Sequence, residues 1–167
     1  PGFKLTVKLM YQLVAAVCYA DVLMWLANQV RPYEINKGQT DELVDKWVEK
    51  LIKSKIGIRD FDAKVSRIVK DFEAIPVNIV PKIKVGIVGE IYIKYAPLGN
   101  NCLEEFLQSE GVEVVVPGLL DFILFMCDHH IVDTQIYHVR YKKFVASAVL
   151  KKFLLRMQNK IIKGIEG

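Results

Sequence analysis

Along this chain the spacing of apolar residues switches from a helical period to a strand-like run and back again. From about Lys4 to Val30, Leu9, Leu13, Val17 and Ala20 recur every three or four positions, joined by Met10, Val14, Leu23, Leu26, Ala27 and Val30. That predicts a helix with a wide apolar face, central and wedged between other elements. Arg31-Pro32 ends it, because Pro32 disfavours a helical residue before it and has no amide to donate. Asn36 and Gly38 then mark a turn, with Thr40 as N-cap and Asp41 and Glu42 in the first turn of a second helix. Its stripe is Leu43, Val44, Trp47, Val48, Leu51 and Ile52, with Glu42–Lys46 and Glu49–Lys53 pairs outside. A third helix begins at Asp60 and turns Phe61, Val65, Ile68, Val69 and Phe72 inward before Pro76, forming a hairpin with the second.

The period changes after VNIVPK, an extended lead into the stretch from Lys82 to Pro117 around which the rest is organised. Ile83, Val85, Ile87 and Val88, broken only by Gly86, form one β run, and Val112, Val114, Val115 and Val116 form another. Apolar on nearly every residue, both read as parallel strands covered on both faces. Between them lies an amphipathic crossover with Leu103, Phe106 and Leu107 on one side, Glu104, Glu105 and Gln108 on the other, and Gly111 as its stop. The result is a β-α-β unit in an α/β domain, where ligands bind beyond the carboxyl ends of the strands. Pro117-Gly118 leads into LLDFILFMCDHHIVD, whose Leu119, Leu120, Ile123, Leu124 and Cys127 fit a covering helix or a strand. From Ile136 to about Lys163, Phe144, Val145, Ala148, Val149, Phe153 and Leu154 alternate with Lys142, Lys143, Lys151, Lys152 and Arg156. This is a basic amphipathic helix, suited to a packed position with a solvated lysine face, or to docking on an acidic partner or a membrane surface.

The expected organisation is one domain over 1–167: a helical layer (1–76), a β-α-β-α unit (82–135) and a C-terminal helix (136–167). Two parallel strands are few for a sheet, so the remaining strands are expected elsewhere in a longer polypeptide. A start at Pro1 without methionine fits an excised piece.

With 167 residues, 52% of them apolar and 25% charged, the composition is that of a folded chain with a sizeable core. The net charge of +4 comes from 23 Lys and Arg interspersed with 19 Asp and Glu, which argues against a nucleic-acid surface. Cys18, Cys102 and Cys127 are far apart and odd in number, pointing to reduced thiols, and no CxxC or Cys/His spacing marks a metal site. Leu9 to Val30 approaches a membrane span in length, but Gln12, Asp21, Asn28 and Gln29 interrupt it and no basic region with a cleavage site precedes it. A buried helix, with no membrane contact, is therefore the expectation.

Chemistry is sought first at Gly89, Glu90 and Tyr92, after the first strand. Glu90 and Tyr92 are the candidate catalytic pair, a carboxylate for acid–base work or ligand orientation and a phenol beside it. The plain alternative is a Glu accepting turn amides and a Tyr that packs. Asn100 and Asn101 sit where a helix N-terminus favours anions such as a CoA phosphate, or where Asn100 simply caps. Gly86 and Gly89 do not make a dinucleotide fingerprint. Arg31, Tyr33 and Glu34 are expected to bridge the long helix and the upper edge of the sheet. His129 and His130, with Asp128 and Asp133, are placed on a surface loop, and Cys102 is incidental.

The order RPYEINKGQTD at 31–41, then VGIVGEIYIKYAPLGNNCLEEFLQSEGVEVVVP at 85–117, resembles the large activase-related proteins associated with 2-hydroxyacyl-CoA dehydratases. Their first motif resembles R-P-Y-E-x-N-x-G-x-T/S-D, and their second resembles V-G-[IV]-V-G-E-I-Y-V-R followed by an Asn pair, a helix and a strand. The likeness spans most of residues 9–120. It implies a cytoplasmic protein of anaerobic acyl-CoA metabolism with a Rossmann-like or flavodoxin-like dehydratase-type domain. It also implies cysteine-held iron–sulfur clusters in the parent protein and a partner ATPase module that passes in a low-potential electron. The implied partners are the remainder of the parent polypeptide or dehydratase and activase subunits, together with acyl-CoA; a homodimer is also compatible. This sequence departs from the pattern in having Lys94, displaced by one position, where the family tends to have Arg, and in lacking any match to the family's cluster cysteines. The fragment itself is therefore expected to hold no cluster and to have no turnover.

Overall fold

The long apolar helix is the axis on which the other helices close. A computed structural model describes residues 4, 6–54, 56–57, 60–138 and 141–166. The elements are α1 (Val7–Val30), a 3-10 turn (Arg31–Tyr33), α2 (Gln39–Lys53), α3 (Phe61–Glu73), β1 (Lys84–Gly86) and α4 (Ile91–Tyr95). After these come α5 (Pro97–Asn100), α6 (Leu103–Ser109), β2 (Glu113–Val115), α7 (Leu119–Tyr137) and α8 (Tyr141–Glu166). The chain is mostly helical, with one small two-stranded parallel sheet.

Ala15, Cys18, Tyr19, Val22 and Leu26 of α1 are buried against Trp47 and Leu51 of α2 and the inward row of α3. That row is the one its spacing predicts: Phe61, Val65, Ile68, Val69 and Phe72 are all buried. Tyr19 and Phe61 pack ring against ring, centroids 4.9 Å apart. Leu120, Leu124 and Cys127 of α7 and Leu154, Met157 and Ile161 of α8 complete the same core. The last helix thus lies against α3, α7 and α1, so the first and last parts of the chain share one apolar interior.

Two boundaries differ from the sequence reading. The segment after Pro117-Gly118 is a helix that runs on to Tyr137, so α8 begins at Tyr141 and not at Ile136. His138, with φ 53, ends α7 in the left-handed conformation. Consequently His129 and His130 stand within a helix, not on a surface loop, and His129 Nε2 lies 3.4 Å from Asp133 Oδ2 one turn on. Within α8 the buried row is Ser147, Leu154, Met157 and Ile161, whereas Val145 and Val149 are exposed. At about 100° per residue the two valines fall on the side opposite that row, which alternation with lysines alone does not reveal.

In the sheet, Lys84, Val85 and Gly86 pair in parallel with Glu113, Val114 and Val115. Ile87, Val114 and Val116 form a second, smaller core with Met24 of α1 and Leu103 and Leu107 of α6. The expectation of strands covered on both faces does not hold: Ile83 is 73% and Val88 78% exposed, and Val115 is also open. The first strand is also shorter than expected. Gly89, at φ +142, turns the chain, and Ile91 and Tyr92 belong to α4, not to the tip of a strand. Gly111 ends α6 as its sequence position predicts. With φ +79, its amide donates to the Gln108 carbonyl and the Val112 amide donates to the Leu107 carbonyl, both bonds of a Schellman motif. Phe106, assigned to the inner side of α6, is exposed.

Candidate functional site

Two carboxylates far from each other fix the frame of the site. Asp21, in the middle of α1, is 3% exposed and accepts the backbone amides of Leu119 and Leu120, both at 2.8 Å. An N-cap for α7 is thus delivered by another helix across the core. The close approach depends on Gly118, because a Cβ there would stand 2.6 Å from both Asp21 Oδ2 and the Trp25 ring. Burial pushes the Asp21 carboxyl above its ordinary range despite those two amide bonds and nearby Lys94.

Glu34 does for α2 what Thr40 was expected to do. Its carboxylate accepts from the Gly38 amide and from the Thr40 amide, both at 2.8 Å, while Gly38 takes the N-cap place at φ 91. Thr40 is itself fully buried in the first turn. Burial acts to raise the Glu34 carboxyl, but the bonds from Thr40 and Gly38 outweigh it and Lys37 adds to them, holding the group below its usual range. Tyr33 donates to Glu113 Oε2 at 2.7 Å, and Lys84 stands 2.7 Å from Glu113 Oε1. Of the three residues expected to bridge the long helix and the sheet, Tyr33 reaches the sheet, whereas the Glu34 carboxylate turns to α2.

Beside Arg31 lies an open cleft of about 460 Å³. One wall is Arg31 and Asp41; the other is Lys94, Tyr95, Pro97, Asn100, Cys102, Glu104, Glu105 and Gln108. Arg31 is held in place: its Nε and Nη2 donate to Asp41 Oδ1 at 3.0 and 2.7 Å, and its Nη1 donates to Asn28 Oδ1 at 3.0 Å. Lys94 is 8% exposed, and among the described residues its ammonium has no ion pair. Its Nζ lies 4.9 Å from the centre of the Tyr95 ring. Tyr95 donates its hydroxyl to the Pro117 carbonyl, and burial, with Asp21 and Asp121 nearby, pushes that phenol up to about 12. A second open cleft, about 490 Å³, lies on the far side of Arg31 and Gln108, with Glu34, Lys37 and Lys82 among its walls.

Of the residues singled out from the sequence, Asn100 reaches the cleft; Gly89, Glu90, Tyr92 and Asn101 are not among its lining. Glu90 is exposed and caps α4, accepting from the Tyr92 amide at 2.8 Å and the Ile93 amide at 3.4 Å. The Tyr92 ring packs where Gly99 leaves room, since a Cβ on Gly99 would stand 2.7 Å from it. Asn100 donates to the Ile93 carbonyl at 2.8 Å and accepts from the Leu103 amide at 3.2 Å, tying α4 to α6. Asn100→Ala is expected to lower stability by about 1 kcal/mol, measured as a shift of the urea midpoint. Asn101 and Cys102, both at φ 54, make the left-handed turn into α6.

The sequence marks Arg31 as a bridge and Lys94 as the basic residue that follows the strand motif. The signal for Lys94 was a single cation inside the apolar run IYIKY. Among the described residues no group of three or more His, Cys, Asp or Glu is placed to hold a metal. The lining brings two cations and two side-chain amides together with the carboxylates of Asp41, Glu104 and Glu105; Arg31 is paired with Asp41 and lies 4.0 Å from Glu104, which leaves Lys94 as the cation for an anionic or hydrogen-bonding ligand.

Comparison with protein-family models, with curated proteins and with solved structures finds no match to this chain.

Proposed function

We propose that this chain is a piece of a 2-hydroxyacyl-CoA dehydratase or activase-related iron–sulfur protein, and that its cleft receives a phosphate or carboxylate of an acyl-CoA ligand. The observation that carries this reading is the meeting of the two motif segments. Residues 31–41 supply Arg31 and Asp41 to one wall, and residues 94–108, from the second motif, supply the other. Segments some fifty positions apart that resemble one family thus build one cleft, with Lys94, which has no ion pair among the described residues, inside it. In this reading the protein is cytoplasmic, the cluster is ligated by cysteines elsewhere in the parent, and this piece alone has no turnover. The small sheet is then part of a larger Rossmann-like or flavodoxin-like one, which accords with the exposed Ile83 and Val88 beside β1.

Calorimetric titration with coenzyme A and with a short acyl-CoA tests the cleft. Binding is expected, weakened about tenfold by Lys94→Gln. Equal affinity in the variant, or no heat with millimolar ligand, sinks the assignment. For the parent, iron and acid-labile sulfide after preparation without oxygen are the deciding measurement; a longer chain that never carries a cluster leaves a non-catalytic interaction domain. That second reading draws on the exposed aliphatic side chains of Ile79, Val80, Ile83 and Val88, before and after β1, as in surfaces that other chains cover.

A further inference from the structure

Helix α8 carries a second surface that the cleft does not use. Between Tyr141 and Ile165 the sequence has seven basic residues and no acidic one. Two of these cations are paired with carboxylates of neighbouring helices: Asp128 of α7 pairs with Lys151, and Asp62 of α3 pairs with Lys160 at 2.9 Å. Lys142, Lys143, Lys152, Arg156 and Lys163 are exposed and have no ion pair among the described residues. With about 100° of turn per residue, Lys142, Val145, Val149, Lys152, Arg156 and Lys163 all fall within about 60° of one line along the helix, facing away from the buried Leu154 row. The row is about 33 Å long. Val149 on it is 66% exposed, and Leu155 and Ile162 flank it, also exposed.

We propose that this outward face of α8 docks an acidic amphipathic helix of a partner protein. The charge defines the occupant: the uncompensated cations Lys142, Lys152, Arg156 and Lys163, ten, four and seven residues apart, match carboxylates at the same spacing on a facing helix. The aliphatic side chains between them match its apolar row. A lipid surface fits less well, because the face presents two valines between its cations and a single aromatic, Tyr141, at its first turn, with no continuous row of large apolar side chains to insert. A nucleic-acid backbone fits less well too, since Val145 and Val149 interrupt the cations where phosphates would lie.

The test uses the whole chain and a labelled synthetic helix of about 20 residues, with glutamates and leucines at the complementary spacing, followed by fluorescence anisotropy at low and high salt. A scrambled peptide of equal composition, phosphatidylserine vesicles and duplex DNA are run alongside. The amphipathic peptide is expected to bind about tenfold more tightly than the scrambled one and to weaken as salt rises. Lys152→Glu with Arg156→Glu should lower that affinity about tenfold, Val149→Asp should lower it less, and Lys46→Glu on α2 should leave it unchanged. All four substitutions are at exposed positions, and thermal melts verify the fold. Equal binding of both peptides, insensitivity to the α8 charges, or tighter binding of vesicles or DNA through the same residues overturns the proposal.

Discussion

Replacing Asp21 with alanine is expected to destabilise the protein by about 3 kcal/mol, because two amides at the start of α7 lose their acceptor inside the core. For a chain of this size that is a fall in melting temperature of about 10 °C. Asp21→Asn keeps one carbonyl oxygen and should recover about half of the loss. The pH dependence separates the two variants. The Asp21 carboxyl is raised above its ordinary value by burial, so between that value and the raised one the native state holds more protons than the unfolded state. Stability from this group therefore declines as pH rises through that window, and the decline should vanish in Asp21→Asn. Chemical denaturation at a series of pH values reads both effects; a wild-type melting temperature in Asp21→Ala would remove Asp21 as the anchor of α7. Gly118→Ala should approach the Asp21→Ala loss by the opposite route, forcing apart the two helices that meet there.

Glu34→Ala should be the next most damaging change, about 2 to 3 kcal/mol, since the amides of Gly38 and Thr40 are left without a partner and Thr40 is buried. Here the pH signature has the opposite sign. The Glu34 carboxyl sits below its ordinary range, so as pH falls toward and through the lowered value the unfolded state takes up protons first and stability is lost. Glu113 acts in the same direction: burial works to raise it, but its bonds from Lys84 and Tyr33 prevail and hold it low. Urea midpoints from neutral pH down to about pH 3 should fall steeply for the wild type and less steeply for Glu34→Gln. Identical acid limbs would mean that the carboxylate is not what starts α2.

The helices were legible because each has a side that repeats every three or four residues. Phe61 to Phe72 can be assigned inward residue by residue, and Gly111 can be named as a stop, from the sequence alone. The parallel pairing of the two valine-rich runs was legible too, from the amphipathic crossover that joins them. What did not show was whatever depends on a partner far along the chain. Asp21 looked like an interruption in an apolar helix, whereas it answers to amides almost a hundred positions away. Thr40 looked like a cap because caps are usually local, and Glu34 supplied the oxygen instead. The site was misplaced for a related reason. Gly89 to Tyr92 read as the tip of a strand, but the Glu90 carboxylate starts a helix there, which carries Lys94 into the cleft and leaves Glu90 and Tyr92 outside its lining.

That α8 shares the interior with α1 bears on how the polypeptide is made. On a ribosome, the side of α1 that meets Leu154, Met157 and Ile161 cannot be sheltered until those residues have been translated. At ordinary elongation rates the wait is on the order of ten seconds, during which a greasy helix has no native neighbour at one flank. Nascent chains of this sequence should therefore associate with holdase chaperones until the final helix emerges, and release should coincide with its synthesis.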